Sequence, residues 1–142
     1  MPVDVHVVHG GAGRLFLCRG AATGREFIAR NAEMLSAEEN YLGTRWCLID
    51  ETGATSLDVT SAEIQTIVEQ DAELALGLPE LVIVVVVAHD LGFGLSRMWE
   101  MLTERPGWSV RVFRARPEAE AWLRQQVQRK FGMELPQDLA TP

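Results

Sequence analysis

The chain is short of cysteine and histidine and has no apolar run of membrane length, and each shortage removes a class of function. Two cysteines and three histidines stand among 142 residues. Cys18 and Cys47 each lie inside an apolar run, with no second thiol or imidazole at metal-ligand spacing. Metal and cofactor sites are therefore not expected, and the thiols read as small core hydrophobes in a reducing compartment. The strongest apolar run, "LVIVVVVA" from Leu81 to Ala88, falls far below the roughly 20 residues that span a bilayer. The N-terminal "MPVDVHVVHGG" lacks a basic start followed by an apolar stretch, so no targeting segment is expected and the reading is cytoplasmic. Basic residues are also outnumbered, 13 against 20 acidic, for a formal charge of −7. Such a chain suits neither nucleic acid nor an anionic membrane, whose phosphates demand a basic face. Arg111, Arg114, Arg116, Arg124, Arg129 and Lys130 enrich the C-terminal fifth, and read as the solvated side of a strand and a helix.

What is present describes one folded α/β domain. Hydrophobic residues make up 47% and charged residues 23% of the chain, which argues against wholesale disorder. Two β-rich runs, Val3–Val8 and Arg14–Cys18, flank Gly10, Gly11 and Gly13. No helix follows those glycines directly and no Lys-Ser/Thr closes them, so a hairpin is expected rather than a phosphate loop. "GREFIARNAEML" places Phe27, Ile28, Asn31, Met34 and Leu35 on one helical face. Arg45–Asp50 reads as a strand ending at a turn, and Ser61 to about Leu76 as a second helix with Ile64, Ile67, Val68, Leu74 and Ala75 inward. "LVIVVVVA" is β-branched without alternation, the pattern of a strand buried on both faces. A third helix is expected over about Gly94–Glu104, with Leu95, Met98, Trp99 and Leu102 inward. "WSVRVF" is the last strand, and Pro117 opens a last helix to about Arg129, with Ala119, Trp122, Leu123 and Val127 inward. The domain is expected over residues 1–130, with 131–142 a tail without periodicity that frays. The order β-β-α-β-α-β-α-β-α implies a mixed sheet with an N-terminal hairpin, parallel core strands and about four helices.

Ligands of open α/β sheets collect beyond the carboxyl ends of the strands, where "DETGATSLDVTS", "HDLGFG" and "RARP" should converge. His89, Asp90 and Ser96 invite a hydrolase reading. Adjacent His and Asp on a strand end point apart, however, and Ser96 lacks a G-x-S-x-G elbow. Asp90 is better a turn or capping group, with Gly92 and Gly94 easing a tight strand-to-helix passage. Thr60 and Glu63 form T-x-x-E, a capping box that starts the second helix. The same helix end would stabilise a phosphate, so cap and switch are compatible roles for Thr60 and Ser61.

"LIDETGATSLDVTSAEI" resembles the STAS-domain segment of anti-sigma-factor antagonists, roughly D-x-S-G-V-T-x-x-D-S-S-G. Asp50, Thr52, Gly53, Thr55 and Asp58 fall on matching places, and Thr60 falls where those proteins carry the serine that a partner kinase phosphorylates. Val59 stands in place of the first serine and Ser61 in place of the glycine. Across about residues 3–127, "FGLSRMWEML" and "VRVFRARPEAEAWL" are similar to the divergent SpoIIAA-like family. The resemblance implies a STAS-like (SpoIIAA-like) fold and a non-enzymatic regulatory or protein-interaction role, with a kinase-like anti-sigma regulator as partner and Thr60 or Ser61 as phospho-switch. Asp50, Asp58, His89, Asp90, Gly92, Phe93, Gly94 and Arg114 are the candidate interaction face. The alternative is a module for a small apolar or anionic, lipid-like ligand held near Phe93, Met98 and Trp99. The oligomeric state is left open.

Overall fold

The computed structural model describes residues 2–142. Five strands form one sheet in chain order: β1 Val3–Val8, β2 Gly13–Thr23, β3 Trp46–Asp58, β4 Leu81–Val86 and β5 Trp108–Phe113. β1 runs antiparallel to β2, as the hairpin reading required, and every later pair is parallel. The helices are α1 Gly24–Leu35, α2 Ser61–Gly77, α3 Asp90–Leu102 and α4 Arg116–Phe131. The chain always steps in the same direction across the parallel strands. Right-handed crossovers therefore put α1, α2 and α3 on one face, and α4 closes the other.

Alternation divides β4 between the two layers. Leu81, Ile83, Val85 and Val87 join the core under α1–α3, while Val82, Val84 and Val86 join the core under α4. All seven are buried, and each such side chain contributes about 1.5–3 kcal/mol relative to exposure. β2 and β3 follow the same rule, with Phe16, Cys18 and Cys47 on the three-helix face and Leu15, Trp46 and Leu48 on the other.

Three sequence expectations change. The turn anticipated after Asp50 does not form, and β3 continues to Asp58 beside a β2 that runs on to Thr23. The glycines there serve bulges rather than turns. Gly20 has φ 64° between two register shifts, and a Cβ on Gly53 would lie 2.7 Å from the Cys18 carbonyl. The third helix begins at Asp90 rather than near Gly94, so Gly92 and Gly94 lie within it. Gly92 is needed for contact, since a Cβ would come within 2.6 Å of Leu57 and 2.7 Å of Val87. With the helix so placed, Thr103 is buried beyond its end and Leu102, expected inward, is 42% exposed.

The tail does not fray. Gly132 closes α4 in the left-handed conformation (φ 65°) and turns the chain back. Arg124 then donates to the Leu135 and Gln137 carbonyls at 3.1 and 2.9 Å, and His9 N–H to the Thr141 carbonyl at 2.8 Å. One helix cannot cover a sheet face that three helices cover opposite, and Leu139, buried in the same core as Val8, Leu15 and Leu123, helps complete it. Leu139→Ala should therefore cost about 2–3 kcal/mol in urea denaturation. A change below about 0.5 kcal/mol, typical of surface positions, would mean that the tail adds nothing to the core.

Candidate functional site

The odd-numbered residues that begin β3 face α1–α3. Cys47 and Ile49 are apolar, but the next residue in that row is Glu51, a carboxylate in a hydrophobic position. On α2, the inward stripe Ile64, Ile67, Val68 and Leu74 is likewise interrupted by Asp71. Both acids line a cavity of about 90 Å³ between the sheet and α1–α3. Its other walls are largely apolar, including Phe16, Phe27, Met34, Leu57, Ile83 and Trp99. Phe27, Asn31, Leu57, Val59, Ile67 and Leu95 keep partial exposure, so the mouth lies among them.

Burial governs both acids. Glu51 is 8% exposed, and its pKa is pushed up to about 8, first by burial and then by the neighbouring Asp50; the nearby Ser96 hydroxyl opposes the shift. Its Oε2 has no hydrogen-bond partner among the described residues. Asp71 is raised to about 7 by burial, against the opposing effects of the Trp99 indole and Arg105. The indole Nε1–H donates to Asp71 Oδ2 at 2.7 Å. The cavity therefore presents two acids whose ionisation burial disfavours, inside an apolar wall. The two buried thiols are raised by burial, Cys47 to about 12, and stay protonated.

The residues singled out in the sequence separate into three groups. Asp90, Phe93 and Arg114 come together: Arg114 Nη1 lies 2.7 Å from Asp90 Oδ1, and its guanidinium sits 4.2 Å from the Phe93 ring centroid. His89 precedes α3 with no side-chain cap bond, and Asp90, committed to Arg114, does not pair with it. Gly92 belongs to the cavity wall, whereas Gly94 is exposed. Asp58, Thr60 and Ser61 form a second exposed group at the end of β3, adjoining the first through the Leu57–Gly92 contact. Thr60 is the cap that T-x-x-E demands. Its Oγ1 accepts from Glu63 N–H at 3.1 Å, and its own N–H donates to Glu63 Oε1 at 2.9 Å. Asp50 stands apart on the α4 face, 9% exposed. It pairs with Arg116 Nη1 at 3.1 Å and accepts from the Thr52 N–H and hydroxyl at 2.9 and 2.6 Å. Ser96 is buried against Glu51.

Glu51, Asp71 and Ser96 were not selected from the sequence as cavity residues. A charge falling on an apolar stripe, at the second step after Cys47 and seven residues after Ile64, is the signal that marks the two acids. No group of three His, Cys, Asp or Glu able to hold a metal occurs among the described residues, and no helix there is long and apolar enough to cross a membrane.

A carboxyl that keeps its proton only when folded makes stability fall as pH rises from the unfolded pKa toward the folded one. For Glu51 that window runs from 4.5 to about 8, with a slope of at most about 1.4 kcal/mol per pH unit; Asp71 adds a similar window from 3.8 to about 7. Urea denaturation at a series of pH values should show wild type losing stability across this range and Glu51→Gln losing less. Equal slopes would mean that Glu51 is ionised in the native state. Comparison with family models, curated proteins and solved structures returned no match.

Proposed function

We propose that this chain is a non-enzymatic, STAS-like regulatory domain that holds a small apolar ligand beneath α1–α3 and acts through contact with a partner protein. The observation that carries the reading is the cavity itself. Close-packed cores hold few voids larger than a water, yet this one has about 90 Å³ bordered by two acids. One water needs about 10–15 Å³, and drug-sized ligands occupy about 300–1,000 Å³. The fit is a ligand of a few heavy atoms, or one end of a longer chain admitted as Met34 and Phe27 turn aside. The alternation of strands and helices after an antiparallel first pair supports the STAS-like reading. Two buried, unpaired thiols support a cytoplasmic setting.

A second observation favours protein contact at the strand ends. Thr60 and Ser61 are exposed at the start of α2, the helix that also carries Ile64, Ile67 and Asp71 into the cavity. A phosphate on Thr60 would gain from the helix amides but would displace Oγ1 from Glu63 N–H and set a dianion beside the Glu63 carboxylate. That rearranges the cap of a cavity helix. A kinase-like anti-sigma regulator is the partner class this predicts, with Asp58, His89, Asp90, Phe93 and Arg114 as the surrounding face.

Titrating the protein with benzene under ¹H–¹⁵N NMR should shift the amides of Glu51, Ile67, Asp71 and Ser96, and no shift there would overturn the ligand reading. For the switch, incubation with an anti-sigma kinase and ATP should place phosphate on Thr60 or Ser61 by mass spectrometry. Phosphate on neither residue contradicts it. Thr60→Ala should cost about 1 kcal/mol of stability in either case, because the cap is lost.

A further inference from the structure

A second hollow opens toward the amino ends of β2 and β3, on the same sheet face as the cavity and separated from it by Phe16 and Met34. This cleft has a volume of about 610 Å³, within the range of ligand sites. Arg14 lies in its wall, 9% exposed. Its Nε–H donates to Thr44 Oγ1 at 3.3 Å, and no carboxylate pairs with its guanidinium among the described residues. Burial lowers its pKa, and the Cys47 thiol beside it, protonated and therefore neutral, supplies no compensating charge. Arg30, in the same cleft, spends Nη2 on Glu33 at 3.0 Å and leaves its buried Nε without a partner.

A largely buried arginine with no carboxylate partner differs in kind from the buried Glu51. A carboxyl sheds its charge by taking a proton, whereas arginine stays charged throughout the accessible pH range. Burying a charge without a partner is costly, and a guanidinium presents a planar fork matched to an oxyanion. Beside it, Val5, Val7, Phe16, Met34 and Tyr41 supply apolar wall, while Glu33 and Glu39 stand at the exposed rim. Arg30 is already paired with Glu33, so Arg14 is the one guanidinium of the cleft without a carboxylate, and it matches a single negative charge while Glu39 at the rim opposes a second.

We propose that this cleft is a binding site for a small organic monoanion, whose carboxylate is held by Arg14 and Arg30 and whose apolar body rests against Phe16, Met34 and Tyr41. The site is independent of the cavity beneath α1–α3, and neither reading needs the other.

Benzoate, its neutral isostere benzamide and inorganic phosphate are the probes, each titrated into the full chain under ¹H–¹⁵N NMR. Benzoate should shift the Arg14 side-chain Nε–H and the amides of Arg30 and Thr44. Benzamide and phosphate should each bind at least about tenfold more weakly, since one lacks the charge and the other carries too much. Arg14→Met should weaken benzoate about tenfold or more, and Arg14→Lys, the milder change should the first not fold, should do the same because it keeps charge without the fork. Three results would each overturn the proposal: benzamide binding as well as benzoate, either folded variant binding benzoate like wild type, or benzoate shifting only residues around Glu51 and Ser96. The last would assign benzoate to the cavity and leave that reading standing.

Discussion

The structure depends on β4 being apolar on both faces. Seven successive buried residues, Leu81–Val87, cannot sit at an edge or against water, so the strand must be interior to the sheet and covered twice. Parallel neighbours then need helical crossovers, and the fixed hand of those crossovers sends the first three helices to one side. Strand order, layer assignment and the position of α4 follow from that single demand and from the order of elements along the chain.

The demand is met unequally, and the inequality creates the sites. On one face a single helix is supplemented by the returning tail, whose Leu139 is buried in the core shared with Val8 and Leu15. On the other, three helices cross strands of different lengths, and their inward stripes do not fill the space. Where they fall short, polar residues occupy apolar positions: Glu51 and Asp71 at the cavity, Arg14 at the cleft. The acids can accommodate burial by taking up a proton, and burial raises their pKa values to about 8 and about 7. Arg14 has no such recourse, and for that reason the cleft reads as a place for an anion while the cavity accepts a neutral, apolar guest.

Much of the fold was legible in the residues. The β-branched run announced β4, Pro117 the start of α4, and T-x-x-E the start of α2, because each signal has one physical meaning. Glycine has several. Gly53 and Gly92 look like turn and breaker, yet each marks a close approach of backbone or helix to its neighbours, which only three-dimensional packing decides. The tail was misread because Met133, Leu135 and Leu139 have no periodicity, and periodicity matters only for regular elements. The exposed candidates His89, Asp90, Phe93 and Arg114 lie at the expected strand ends, but Asp50 points to the α4 face, where it pairs with Arg116, while its neighbours Ile49 and Glu51 face α1–α3. The buried acids were visible as interruptions of apolar stripes, and their consequence emerged only once the facing helices were in place.

The core beneath α1–α3 holds an open, largely apolar cavity bordered by Glu51 and Asp71. A crystal structure under pressurised xenon tests it most directly, since xenon occupies dry apolar cavities. The account predicts a xenon atom between Phe27, Ile67 and Trp99, near Glu51, and none between the sheet and α4. Ordered waters filling that space and bridging Glu51 to Asp71, or side chains closed over it with no xenon, would contradict the account.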